Sequence, residues 1–457
     1  MKSPNNLHTH EKIDDYLIRT DNQPAAGLFG VLDYDASFGN SGRLYLPFKA
    51  EEGWASGVIQ CPSTNNAAKY LATYFEKHSV NDPDHRSVAC LARFDGAGEL
   101  DKSFGTDNTG VVDVPFADTG TSVLLGIHAP DDSSPITLWG YSYGSTGSDA
   151  YITQWTHDGK SSSLFAPLNI SELLKIRFSD LKIRSQLGKG NACLVQADSN
   201  IYAVVITEKE DNLECYLIKI TPTGTLDTSF ADAGVLKIQH PVRPTIPISL
   251  SSIAQDKLGN IYACGYADQP TGKSIGILMK VSPLGILDQD FGEQGVVELN
   301  STQEELAYYL KGIYVDDIKD NKIVLVGSAF NGAIFKGMVT VLQPDGSLDT
   351  TFNKGVPVIH KFYDGANDAW YMARYEVSGE PERKLLISGG FTAGPVLGRF
   401  NDNGSVDSSL AGATFGTLYN VKFYPNNGFS FVQPKPGQIL IAGNSAGKVP
   451  TIHALKL

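Results

Sequence analysis

A motif met as GELDKSFG, GTLDTSFA, GILDQDFG and GSLDTTFN returns about every 62 residues along a chain of 457. A period that long and regular belongs to an array of stacked supersecondary units. Between motifs, each unit carries four short segments rich in Val, Ile, Leu and Tyr, separated by Gly, Pro, Asn and Asp. With charged residues at only 19% and 46 glycines, this is the composition of short strands and tight turns. Together these observations predict an all-β protein, a seven-bladed β-propeller of four-stranded antiparallel blades.

Taken in order, the motif aspartates are Asp35, Asp101, Asp227, Asp288, Asp349 and Asp407, with a seventh, eroded copy in HDGKSSSLF, where Ser162 takes the aspartate's place. The unit from 235 reads VLKIQ, ISLSSIAQDKLG, NIYACGYAD and SIGILMKVSPLG, the pattern of a four-stranded meander. One such sheet cannot bury both faces, and radial packing leaves only short, protected edges. First strands at RLYLPF, VVDVPF, LFAPLNI, VLKIQ, VVELN, VPVIHKF and TLYNVKF number seven, each expected innermost in its blade. The chain closes with QILIAGNSAGKVPTIHALKL, the third and fourth strands of the seventh unit. The connector that should follow is supplied by GVLDYDASFGNSG at 30–42, expected to dock beside the C-terminal strand and close the ring. Residues 1–27 are expected to be a partly flexible tail and 28–457 a single domain.

These copies resemble the delta-60 repeat of bacterial β-propeller proteins, over about residues 28–457. The resemblance implies the propeller fold and, because that family is largely without assigned activity, no particular chemistry. Departures at 159–165, which lacks Leu and Asp at their motif places, and at Leu410, which replaces Phe, predict local differences at two junctions.

A net charge of -13 disfavours nucleic acid, and the densest basic group (Lys175, Arg177, Lys182, Arg184) is interrupted by Asp180. No apolar run approaches the roughly 20 residues of a spanning helix. The N-terminus lacks the apolar core of a secretory signal, so a cytoplasmic protein is expected. Five scattered cysteines suit buried thiols in a reducing compartment. No cofactor, metal or catalytic residue is assigned, and a monomer is the default expectation.

Within the motif, the aspartate is expected to form an Asx-turn, and the aromatic at Phe38, Phe104, Phe230, Phe291 or Phe352 to wedge between blades. A calcium site is the lesser alternative, since the dense oxygen spacing of known loops is missing. GYSYG at 140–144 fits a nucleophile elbow built on Ser142, but it aligns with the strand end ACGYAD and no helix follows. His8 and His10 form only a chance pair. His240 and His360 end strands expected to be innermost, which makes them candidate channel-lining residues.

The links between first and second strands vary most and emerge opposite the connectors. They carry Trp54, Tyr308, Tyr309, Tyr363, Trp370, Tyr371 and Tyr424, near Asp364, Asn367 and Asp368. Such a face suits an unidentified protein or carbohydrate ligand. The expected function is therefore a non-catalytic binding or protein-interaction platform. The rivals are a lectin, and a glycoside hydrolase or lyase using Asp113, Glu298 or Asp118 at the channel mouth.

Overall fold

The computed structural model describes residues 29–457 except 62–67, 78–86, 117–120, 130–133, 145–146, 164, 176–181, 184–192, 196–199, 210–211, 271, 301–306, 317, 319, 363–367, 377–382, 392–393, 414, 418–429 and 446–447. The N-terminal tail, Tyr363, Tyr424, Asp118, Asp364 and Asn367 thus lie outside the described residues.

Seven separate sheets form the seven blades, with every pairing inside a repeat unit antiparallel. From the first strand to the last, blade one runs Glu52–Cys61, Lys69–Lys77, Ser87–Asp95 and Val111–Asp113. Blade two runs Thr121–His128, Ile136–Gly144, Gly147–Trp155 and Leu168–Asn169. In blade three, Cys193–Val195 and the two-residue Lys182–Ile183 both pair with Ile201–Lys209, which is followed by Asn212–Ile220 and Val235–Lys237. Blade four is Ile248–Gln255, Ile261–Asp268, Ser274–Val281 and Val296–Leu299, and blade five is Ala307–Val315, Ile323–Phe330, Phe335–Leu342 and Val358–His360. Blade six is Ala369–Tyr375, Leu385–Phe391, Gly394–Phe400 and Phe415–Thr417. Blade seven takes Phe431–Lys435, Gln438–Ser445 and Val449–Lys456 from the C-terminus and its fourth strand, Arg43–Tyr45, from the N-terminus.

The structure corrects which strand is innermost. Each short strand after a connector pairs back onto the last strand of the preceding sequence unit, as Val235–Lys237 does on Tyr216–Ile218, and so becomes the outer edge of that blade. The strands beginning each sheet touch one another from blade to blade. Contacts join blades one to two, two to three, three to four, four to five, five to six, and seven to one. Only strands converging on the central axis can form such a ring.

Most of these inner strands carry a β-bulge at one equivalent point. Pairing with the second strand skips Ser56, Leu125, Ser251, Lys311 and Tyr371 in blades one, two, four, five and six. A bulge adds twist and re-aims one side chain. A glycine stands opposite: a Cβ on Gly140 would lie 1.9 Å from the Val123 carbonyl oxygen, and one on Gly265 would lie 1.9 Å from that of Ser249. The glycine opening GYSYG therefore serves bulge packing within an extended strand. Ser142 is buried mid-strand and pairs with Ser122, so the geometry of a nucleophile elbow does not arise.

The core is divided among the blade interfaces, as radial packing requires. Tyr202, Val204 and Leu217 of blade three pack with Ile248, Ile253 and Ile277 of blade four. The Trp370 ring of blade six packs with Val324 and Val339 of blade five.

Candidate functional site

The motif is a joint. Its aspartate N–H donates to the carbonyl of the residue eight positions earlier: Asp101 to Arg93, Asp227 to Lys219 and Asp288 to Lys280 at 2.9 Å, and Asp407 to Arg399 at 2.8 Å. One carboxylate oxygen accepts both the backbone N–H and the hydroxyl of the residue two further on, except at Asp288, where that residue is Asp290 and only its N–H donates (3.2 Å). For Asp227 and Ser229 these distances are 3.0 and 2.6 Å, and for Asp349 and Thr351 they are 2.9 and 2.7 Å. The other oxygen meets a cation: Lys219 for Asp227 (2.9 Å), Lys280 for Asp288 (2.8 Å), Lys322 for Asp349 (2.6 Å), and Arg399 for Asp407 (2.9 Å). Asp101 is held by Arg93 and Lys69. These partners hold the carboxyls below their usual range, and hydrogen bonds from Ser229, helped by Lys219, bring Asp227 down to about 2. With both oxygens occupied, the carboxylates are ill suited to calcium.

The aromatic is the wedge. Phe38, Phe104, Phe230, Phe291 and Phe352 are all buried. The residue after it donates its N–H to the turn of the next blade: Gly39 to Ala97 (2.7 Å), Gly105 to Asp158 (2.9 Å), Ala231 to Leu284 (2.8 Å), Gly292 to Asp345 (3.0 Å) and Asn353 to Asn403 (2.9 Å). The eroded copy keeps this framework, since Ser162 N–H donates to Gln154 at 2.9 Å and Phe165 is buried, but it has no carboxylate to pair. Leu410 is likewise buried, against Leu32, Leu386 and Leu455.

Ring closure repeats the joint between chain ends. Asp35 N–H donates to Ala454 at 2.9 Å, Asp35 accepts Ser37 (2.6 Å) and Gln438 (2.6 Å), and Phe38 lies edge-on to Phe94 of blade one. Phe29–Val31 additionally pairs in parallel with Phe415–Thr417 of blade six. The Tyr34 hydroxyl meets Nδ1 of the buried His453 at 3.1 Å.

The expected aromatic face is largely internal. Trp54, Tyr308 and Trp370 are buried because they belong to inner strands whose faces pack against neighbouring blades. Tyr309 is half-buried between Tyr266 (5.1 Å between centroids) and Phe335 (5.7 Å), and Tyr371 is half-buried at a bulge. Asp368 is buried and accepts the Phe362 N–H.

His240 and His360 leave the channel once the short strands are outermost. His240 accepts the Val242 and Arg243 N–H groups at Nδ1 and donates from Nε2 to Glu298 of the next blade at 2.7 Å. His360 packs against Phe415 (5.2 Å) and Phe400 (5.8 Å) of blade six, and burial pulls its value down. Glu298, paired with Arg243 as well, and Asp113 lie on outer strands of blades four and one, so they do not face each other across a channel mouth.

Two departures from the repeat stand out. On the inner strands, Lys311 lies 5.6 Å from the centre of the Tyr371 ring across the seam between blades five and six. Three residues past that bulge, Arg374 is near Tyr314 of blade five and near His128 of blade two, on the other side of the axis. Sequence reasoning missed these residues because it placed other strands at the axis.

The second departure is on the connector face. At the tip of the connector turn, other blades place Ala97, Asp158, Thr223, Asp345 and Asn403, and two positions on Glu99, Lys160, Thr225, Ser347 and Ser405. Blade four places Leu284 (58% exposed) and Ile286 (63%) at these positions. Leu258 and Ile318, at the turns after the inner strands of blades four and five, and Val356 of blade five are exposed on the same face.

No protein-family model matches the chain, and no curated protein sequence matches it. Among solved structures it is similar to the polysaccharide lyase Uly1 (10% identity, TM-score 0.44), with 98% of this chain and 96% of that one covered. It is also similar to the Hadza microbial sialidase Hz136 (12%, 0.42, covering 95% and 99%) and to the N-terminal domain of Nup159 (9%, 0.40, covering 90% and 98%).

Proposed function

We propose that the protein is a non-catalytic protein-binding platform whose recognition surface is the connector face of blades four and five. The observation that carries this reading is the group of exposed apolar residues Leu258, Leu284, Ile286, Ile318 and Val356, of which Leu284 and Ile286 stand where sister blades present polar turn residues or alanine. Several large apolar side chains exposed on one face of a rigid scaffold are costly to leave in water and characteristic of interfaces. Exposed Asp290, Glu293, Asp320 and Asp345, against Lys257 and Lys354, leave the surround acidic on balance. The partner that fits is a protein with an apolar contact and a basic rim. This face lies opposite the loops the sequence points to.

The test is to give blade four the turn of blade three, Leu284→Thr with Ile286→Thr. Both positions are exposed, so stability should move by less than about 0.5 kcal/mol. A partner captured by the wild-type protein, then purified and titrated, should bind the variant at least about tenfold more weakly. Equal affinity would remove this face as the recognition surface.

A further inference from the structure

The strands around the axis carry a charge pattern unlike that of the whole molecule. The chain is acidic by 13 charges, yet the described inner strands hold one acidic side chain, Glu52, which is paired with Lys448. Against it stand Lys311 and Arg374, with Lys435, whose charge Asp35 feels. Arg374 has neither an ion pair nor a hydrogen bond among the described residues, whereas three half-buried guanidiniums are matched with carboxylates, Arg93 with Asp101, Arg383 with Asp316 and Arg399 with Asp407, and Arg43 stacks over the Tyr34 ring.

Arg374 is open to water at its surface, while burial pulls its value below the ordinary one. Around it stand the Tyr314 hydroxyl and His128, which burial and the Arg374 charge hold at about 4, so the imidazole is neutral at pH 7 and free to exchange hydrogen bonds. One layer away, Lys311 and Tyr371 meet at the bulge, about 10 Å from Arg374 at roughly 3.3 Å per residue. Gly312 lets these strands close up, since a Cβ there would lie 2.1 Å from the Tyr371 carbonyl oxygen.

We propose that the central channel binds a small organic anion, whose carboxylate or phosphate is taken by Arg374 with Tyr314 and His128 beside it, and whose body extends toward Lys311 and Tyr371. A planar guanidinium with no internal carboxylate matches either oxyanion by two parallel hydrogen bonds. Confinement in a low-dielectric ring strengthens that attraction over its value at an open surface.

The test is calorimetric titration of the full chain with citrate, inorganic phosphate, glucose 6-phosphate and, as a neutral control, sucrose. A saturable one-to-one isotherm is expected for at least one anion and none for sucrose. Preference for citrate or for the two phosphates identifies the oxyanion. Arg374→Gln should weaken binding about 10- to 100-fold, Arg374→Lys less, and Tyr314→Phe by a smaller factor. Because Arg374 is exposed and unpaired, its variants should melt with the wild type. Leu284→Thr with Ile286→Thr should leave anion binding unchanged, which separates this site from the connector face. Equal binding by wild type and Arg374→Gln, binding of sucrose alone, or no binding by any probe would overturn the proposal.

Discussion

Replacing Asp227 by Asn separates the two roles of the motif aspartate. The amide oxygen can still accept the Ser229 N–H and hydroxyl, now 3.0 and 2.6 Å away, so the turn survives. What is lost is the charge opposite Lys219, whose side chain is 11% exposed and which also lies 5.5 Å from the centre of the Tyr202 ring. The folded carboxyl sits at about 2 against an ordinary 3.8. That difference, owed first to the Ser229 hydrogen bonds, which are stronger to a carboxylate than to an amide, and then to Lys219, corresponds to roughly 2.5 kcal/mol of stability at neutral pH, reduced to about 1–2 by screening around a carboxylate that is still partly wet. Because the folded value is depressed, this stability is complete above about pH 4 and is lost as pH falls toward 2. Urea unfolding should therefore show Asp227→Asn less stable by about 1–2 kcal/mol at pH 7, with the gap shrinking to about a third of that by pH 2.5. Asp227→Ala, which removes the turn acceptor too, should cost about 1 kcal/mol more and keep that surplus at low pH. A gap of equal size at pH 7 and pH 2.5 would refute the ion-pair reasoning, as would no gap at pH 7.

Deleting residues 1–42 removes Asp35, Phe38 and Leu32 from blades six and seven and should lower the melting temperature markedly; an unaltered curve would refute closure. Phe38→Ala alone should cost about 3–5 kcal/mol, as should Phe230→Ala at an internal joint, measured by denaturant midpoint. Trp370→Ala should destabilise by a similar 3–5 kcal/mol, because its ring is fully buried against Phe362, Phe400 and Phe415, and a stable, folded variant would contradict that packing. His453, buried and pulled down to about 3 from 6.5, stays neutral in the fold while the unfolded chain takes up a proton. Stability should thus begin to fall below pH 6.5, by roughly 2–3 kcal/mol at pH 4.5, and a melting temperature flat across that window would count against it.

The period made the number of blades legible, and the missing connector at the C-terminus pointed to closure by residues 30–42. A period, however, does not say where to cut the unit. VLKIQH opens a unit in the sequence but hydrogen-bonds to Tyr216–Ile218 of the unit before, so the strands taken as innermost are the outermost, and His240 and His360 go to the rim with them. A local signal for the true inner strands was present: alternation breaks once in LLGIH, LSSIAQ, LKGIYV and WYMARY, where the bulge inserts a residue. The basic residue eight positions before Asp101, Asp227, Asp288 and Asp407 was equally visible, and it accounts for the ion pairs that make the motif a joint. Arg374 could not be read from sequence, because its lack of a carboxylate partner exists only where blades two, five and six converge.

Closure also sets the order in which the ring can form. Six of the seven motif hydrogen bonds span eight residues and can form as soon as their own strand and turn are in place; the seventh joins Asp35 to Ala454. Closing so long a loop is slow compared with pairing local hairpins, even though its entropy grows only logarithmically with length. Until it closes, the third strand of blade seven lacks its Arg43–Tyr45 neighbour and Leu455 lacks Leu32. Blade six, which receives Phe29–Val31, waits for the same segment. The N-terminal piece therefore latches two blades in one step, and the open ring preceding it is the species most exposed to edge pairing with another chain. A mixture in which pulse-labelled exchange protects Ile218 and Ile277 well before Ile452 is the expected kinetic signature, and simultaneous protection would mean that the ring closes as one unit.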